Sequence, residues 1–136
     1  DVSGFSVLDL FSGSGIMGIE AISRGASSVV AVENNRKQAI SLRNNYRKLQ
    51  IENNLTLWER DVLSLEFSHE KKTFDLIYAD PPFTETYPDL RKFLDFLSPD
   101  GVAIFECPSR AIPEWALEGK VRRYGESSLA FFWMVS

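Results

Sequence analysis

Along the 136-residue chain the apolar positions fall into short blocks whose spacing alternates between that of a strand and that of a helix. Val7-Leu8-Asp9-Leu10-Phe11 is apolar apart from Asp9 and predicts a strand buried on both faces. Ile16 to Arg24 carries Ile19, Ala21 and Ile22 at helical spacing and ends at Gly25, a residue that stops helices by turning left-handed. Ser28 to Val32 is a β-branched run that reads as a second buried strand. Asn35 to Leu49 predicts a helix with Ala39, Leu42, Tyr46 and Leu49 on its apolar face. Leu55 to Arg60 and Phe74 to Ala79 read as third and fourth strands. Leu90, Phe93, Leu94 and Leu97 predict a helix over Tyr87 to Leu97, and Ser98-Pro99-Asp100-Gly101 a turn into the strand Val102 to Phe105. Lys120 to Tyr124 and Leu129 to Val135 flank Gly125 to Ser128 and predict a closing hairpin.

Strands alternating with helices over the first hundred residues predict an α/β fold: a mainly parallel sheet, helices on both faces, and an antiparallel edge from the hairpin. A chain of this length fits one domain, residues 1–136, burying about two-thirds of its unfolded surface. The composition, 44% hydrophobic and 25% charged, is that of an ordinary globular chain. The longest apolar run, Leu129 to Val135, is far short of a membrane span. No secretory leader is read and Cys107 has no cysteine to pair with, so the expected compartment is the cytoplasm. The chain opens at Asp1, almost on its first strand, and reads as a piece of something longer.

A net charge of −4 argues against a general polyanion-binding surface. It leaves room for a local one. Arg36, Arg43 and Arg47 share one face of the second predicted helix, with Lys37 and Lys48 nearby. Two readings stand: a solvated helix face, or a basic strip beside an RNA groove.

Chemistry concentrates at the carboxyl ends of the strands. After the first comes G-x-G-x-x-G, with Gly13, Gly15 and Gly18, a spacing that lets backbone leave a strand, approach a ligand and enter a helix. Glu33 ends the second strand, 20 residues beyond Gly13, where an acid of a dinucleotide-type fold accepts from ribose hydroxyls. Asp61 follows the third strand, and Asp80-Pro81-Pro82-Phe83 the fourth. Two successive prolines hold the backbone extended and leave its carbonyls as a rigid acceptor edge, while Asp80 adds a carboxylate and Phe83 a ring face. With strand order 3-2-1-4-5, the first and fourth strands are neighbours and both loops line one crevice. His69 reads as a solvated loop residue, Cys107 as a small apolar filler, and Trp58, Trp115 and Trp133 as packing residues.

Val7 to Gly18, Glu33, Asp61 and Asp80 to Phe83 together resemble the motifs of class I S-adenosylmethionine-dependent methyltransferases, specifically the amino methyltransferases with a D/N-P-P-Y/F loop. More narrowly, L-D-L-F-S-G-S-G, R-G-A-S-S-V-V-A-V-E and D-P-P-F are similar to the bacterial small-subunit (16S) rRNA guanine-N2 methyltransferase family, type D. The resemblance implies a Rossmann-like sheet of seven strands in the order 3-2-1-4-5-7-6, the last antiparallel. It implies S-adenosyl-L-methionine as cofactor, contacted by Asp9, Phe11, Gly13, Gly15, Glu33, Asp61, Val62 and Asp80. Within that set Asp9 would help hold the ammonium end, Glu33 the ribose hydroxyls and Asp61 the adenine amine. The catalytic loop would be Asp80, Pro81, Pro82 and Phe83, with Asp80 and the Pro81 carbonyl accepting from the target amine and Phe83 stacking on the base. The implied partner is ribosomal RNA or the small ribosomal subunit, with no metal, no membrane and a monomeric enzyme. A basic N-terminal stretch that such proteins carry ahead of the first strand has no counterpart in this sequence.

The expected reaction is methyl transfer to a guanine N2 amine. Hydrogen bonds to Asp80 and the Pro81 carbonyl would pyramidalise that nitrogen and aim its lone pair. Alternatives are an adenine-N6 methyltransferase on DNA or RNA, a glutamine side-chain methyltransferase, for which Asn would replace Asp80, and an inactive cofactor-binding domain. A nicotinamide-dependent oxidoreductase would share the glycines and Glu33 but has no use for D-P-P-F.

Overall fold

β1 (Ser6–Leu10) lies in the middle of the sheet, between β2 (Ser28–Val32) and β4 (Phe74–Ala79), and is parallel to both. Its last four residues are buried, as the near-continuous apolar run requires. In this computed structural model residues 1–65, 73–82 and 86–134 are described. β3 (Leu55–Trp58) pairs with β2 at one edge. Beyond β4 lie β5 (Leu97–Pro108), β7 (Ser127–Trp133) and β6 (Lys120–Tyr124). The seven strands run in the order β3-β2-β1-β4-β5-β7-β6, and β7 is antiparallel to both neighbours. The α/β class, the strand order and the antiparallel last strand agree with the sequence reading.

Helical segments cover both faces unequally. α1 (Ile16–Ser23) and α2 (Arg36–Lys48) lie on one face, where Ala21, Leu42 and Tyr46 meet Val7, Val29 and Ala31. On the other, short 3-10 segments at Val62–Ser64, Arg91–Phe96 and Glu114–Glu118 close over Leu8, Leu10, Ile77 and Phe105. Asn35 caps α2 by accepting from the Gln38 N–H at 3.0 Å, so that helix starts where its sequence predicts. No helix among the described residues is long and apolar enough to cross a membrane.

Three expectations change in detail. The predicted helix over Tyr87 to Leu97 is the 3-10 segment Arg91–Phe96. The apolar spacing is real, since Leu90, Phe93 and Leu97 are buried, but Leu97 is drawn into strand pairing with Phe74, which ends the helical segment at Phe96. The turn at Ser98 to Gly101 is a bulge within β5: Leu97 pairs with Phe74 and Val102 with Leu76. Asp75 fastens it by accepting from the Ser98 hydroxyl at 2.6 Å and from the Ser6 N–H at 2.9 Å, and these bonds hold its carboxyl below the usual range. The closing hairpin turns on Gly125 and Glu126, tighter than its sequence suggests, with Gly125 at φ 65°.

Candidate functional site

The loop after β1 leaves the sheet through three residues with positive φ, Phe11 (57°), Gly13 (56°) and Gly15 (87°). For a residue as large as phenylalanine this is an unfavourable conformation, of the kind that clusters at ligand sites. The loop is pinned from both strands: the Ser12 N–H donates to the Val32 carbonyl at 3.0 Å and the Ser12 hydroxyl to the Asp9 carbonyl at 2.7 Å. The Gly13 N–H donates to Glu33 Oε1 at 2.7 Å, and Glu33 Oε2 accepts from the Asn35 N–H at 2.9 Å. Glu33 thereby ties the glycine loop to the cap of α2.

The glycines differ in what surrounds them. A Cβ on Gly13 would meet nothing within 4 Å, so its backbone faces open space. On Gly15 it would lie 2.8 Å from Leu42 Cγ and 3.1 Å from Tyr46 Cε1, and on Gly18 it would strike the Tyr46 hydroxyl. Gly13 is open to a ligand, whereas Gly15 and Gly18 let α2 close on the loop.

A cleft of about 650 Å³ opens over this loop. Phe11, Gly13, Glu33, Asp61, Val62 and Asp80 line it, with Pro82 and the start of α2, so six of the eight expected cofactor residues meet in one space. Asp61 caps the turn below it, accepting from the Leu63 N–H at 3.0 Å. Asp9 and Gly15 lie behind the wall. Asp9 is 2% exposed, and its Oδ2 has no hydrogen-bond partner among the described residues. Burial pushes its carboxyl up to about 7, against hydrogen bonds from Ser12 and Gly18; Glu33 and Asp80 push it the same way. Three acids thus act on the loop region, and among the described residues no lysine or arginine lines the cleft.

A second cleft, about 780 Å³, adjoins the first and shares Asp80 and Pro82 with it. Pro81 and Tyr87 line it, with Glu106 and the β5 end that follows, the β6–β7 turn, and two arginines, Arg110 and Arg123. Asp80 is exposed at this junction, yet its carboxyl is raised to about 6, by partial desolvation and then by Glu106, which is both like-charged and hydrogen-bonded to it. Glu106 is itself held. The Tyr78 hydroxyl donates to its Oε2 at 2.6 Å and the Tyr87 hydroxyl to its backbone carbonyl at 2.6 Å. Burial raises both tyrosines well above their usual range.

Of the expected catalytic loop, Asp80, Pro81 and Pro82 line the second cleft, while Phe83, like His69, lies outside the described residues. Glu106, Tyr78 and Tyr87 are additions to the sequence reading. The signal for Glu106 was present: it follows Val102 to Phe105 as Glu33 follows Ser28 to Val32, an acid at the carboxyl tip of a buried strand. Cys107 is buried and donates to the Ser128 carbonyl at 3.7 Å, as a filler would. Trp115 packs with Tyr87, Phe105 and Phe132. Trp133 departs from the expected packing role: it is 53% exposed, 5.8 Å from Phe131.

Over 76 residues the chain is 37% identical to the ribosomal RNA small subunit methyltransferase D of Buchnera aphidicola subsp. Acyrthosiphon pisum, a stretch covering 56% of this chain and 39% of that protein. The match therefore spans well under half of that relative. A conserved hypothetical protein of Streptococcus pyogenes superposes with a TM-score of 0.79 at 29% identity, over 96% of this chain and 86% of its own. A 16S rRNA N2 methyltransferase of T. thermophilus, solved with AdoMet and guanosine, has the same fold: its TM-score is 0.76 at 24% identity, over 96% of this chain and 37% of its own. The model of one family, described as conserved hypothetical protein 95, matches residues 1–133, and the chain belongs to that family.

Proposed function

We propose that this chain is the catalytic domain of a methyltransferase that uses S-adenosylmethionine to methylate the exocyclic N2 amine of a guanine in small-subunit ribosomal RNA. The observation that carries the reading is the meeting of two clefts at Asp80 and Pro82, one suited to a methyl donor and the other to an acceptor.

The first cleft suits a cationic ligand. Glu33, Asp61 and Asp80 line it, and among the described residues the Oδ2 of buried Asp9 has no donor and no basic side chain lines the cleft to balance these acids. A dinucleotide pyrophosphate would meet this acidity unfavourably, and the Gly13 N–H that would receive it is already bonded to Glu33. S-adenosylmethionine carries a sulfonium and an ammonium, and supplies an electrophilic methyl group. Each Glu33 oxygen has a lone pair left for a ribose hydroxyl, and Asp61 keeps one oxygen for an adenine amine.

In the second cleft Asp80 and the Pro81 carbonyl accept from the two N–H bonds of the target amine. That favours a pyramidal nitrogen and fixes its lone pair toward the shared edge of the clefts. The nitrogen–carbon bond forms as the carbon–sulfur bond breaks, and one amine proton leaves for Asp80 or water. With a carboxyl raised to about 6, Asp80 is ionised at neutral pH and still basic enough to take that proton.

Calorimetry on the full-length protein should give binding of S-adenosylmethionine and none of NAD; tighter NAD binding defeats the reading. Incubation with unmodified small-subunit rRNA and particles, followed by mapping, should put the label on guanine N2. Label on adenine would replace the proposed acceptor.

A further inference from the structure

We propose that Glu106 accepts the N1–H of the target base beside the amine held by Asp80, so that the two carboxylates select a guanine edge. This rests on the methyltransferase reading above and says what sets its base specificity.

Glu106 is placed and held for such a role. It sits where β5 reaches the second cleft, and its carboxyl is within hydrogen-bond reach of Asp80. One of its oxygens is fixed by Tyr78 and its backbone carbonyl by Tyr87, both at 2.6 Å. Tyr78 and Tyr87 approach from β4 and from the loop after it, so the carboxyl cannot swing away without breaking its part-buried bond to the Tyr78 hydroxyl. Rigid support of this kind is what orientation of a substrate requires.

Two carboxylates this close repel unless something between them donates hydrogen. A bound base relieves that repulsion at both carboxylates only if it presents two adjacent donors. Guanine does, with N1–H beside the N2 amine. Adenine and cytosine each present an amine beside a bare ring nitrogen, which would face a carboxylate lone pair to lone pair. Reading an unstacked base along its Watson–Crick edge is the general means by which base-modifying enzymes choose a target.

The test uses the full-length protein, an RNA hairpin carrying the mapped target site, and the same hairpin with 2-aminopurine in place of the target guanine. The analogue keeps the 2-amine as methyl acceptor and lacks only the N1–H and O6. Wild type should favour guanine over 2-aminopurine by at least about tenfold in kcat/KM, the low end of discrimination by a paired hydrogen bond. In Glu106→Gln the amide can donate to the bare N1, so the guanine rate should fall while the 2-aminopurine rate holds or rises, and the preference should collapse. Equal losses on both hairpins, with unchanged affinity for S-adenosylmethionine, would overturn the role of Glu106 and leave the methyltransferase reading standing. Failure of wild type to methylate guanine at all would remove that reading, and this inference with it.

Discussion

The two clefts are built from different kinds of sequence. The first is made mostly by residues that follow β1, β2 and β3, within the first 62 positions, joined by Asp80 and Pro82, and its charged lining residues among those described are all acidic. The second draws on the ends of β4 and β5 and on the β6–β7 turn, and is lined by Asp80 and Glu106 together with Arg110 and Arg123. A small cationic ligand fits the first. A base still attached to phosphates fits the second, whose lining holds both carboxylate acceptors and arginines. Among the described residues only Asp80 and Pro82 belong to both, so the division can be tested by removing one side of it.

The largest effect is expected at the shared corner. Asp80→Ala should lower the rate of methyl transfer by about 10²–10³, as loss of one preorganised polar contact does in other enzymes. Affinity for S-adenosylmethionine should change by less than about tenfold, because Glu33 and Asp61 remain. Single-turnover kinetics together with calorimetry separate the two quantities. Loss of cofactor binding in parallel with turnover would mean that the clefts do not act as separate sites.

Behind the first cleft, Asp9 gives a pH-dependent test of its acidity. The folded protein holds this proton up to pH about 7 and the unfolded chain releases it near 3.8, so the folded state carries the extra proton between those values. Stability from this group is present in full below about 4 and is lost as pH rises through 7, an amount of at most about 4 kcal/mol. Relative to Asp9→Asn, wild type should therefore weaken steadily from pH 4 to 7 in urea titrations. Saturating S-adenosylmethionine should narrow that gap in wild type, since a cation over the loop favours the charged carboxylate. A constant difference between the two proteins across this range would show that the buried charge is satisfied some other way.

The first cleft was also the more legible one. Its glycines, Glu33 and Asp61 each end a strand that the hydrophobic pattern locates, and local sequence is enough to find them. Spacing alone did not distinguish the glycines, because φ and the nearness of Leu42 and Tyr46 depend on where α2 lands. Gly15→Ala should consequently cost about 2–4 kcal/mol of stability, from a strained backbone and a crowded contact. Gly13→Ala should cost about 1 kcal/mol and act mainly on cofactor affinity. Thermal melts that rank them the other way would contradict the packing of α2 on the loop. The second cleft was half hidden. D-P-P-F announced Asp80, but the partnership with Glu106 depends on β4 and β5 lying side by side, on a bulge that sets their register, and on a tyrosine from each side of Asp80. The pattern at Tyr87 to Leu97 recorded burial correctly, while the pairing of Leu97 with Phe74, a contact distant in sequence, bounded the helical segment.

The smallest effects should fall on the basic residues, and they separate two surfaces that composition alone could not. Arg43, Arg47 and Lys48 are exposed on the last turns of α2, and Arg36 at its start is paired with Glu59 at 2.9 Å. α2 begins beside Glu33 at the carboxyl edge of the sheet, and the chain after it re-enters β3 at the amino edge, so α2 carries these charges away from both clefts. Arg123 lines the acceptor cleft itself. An RNA whose base enters that cleft brings its phosphates past Arg123 and not past the end of α2. Arg123→Ala should reduce the slope of log affinity against log salt by about one and weaken binding of unmodified rRNA at low salt. Arg43→Ala with Arg47→Ala should leave both unchanged, as expected of a solvated helix face. Should the double α2 variant flatten the salt dependence instead, the RNA would lie across the helix layer, and the second cleft could not be the place where its base is received.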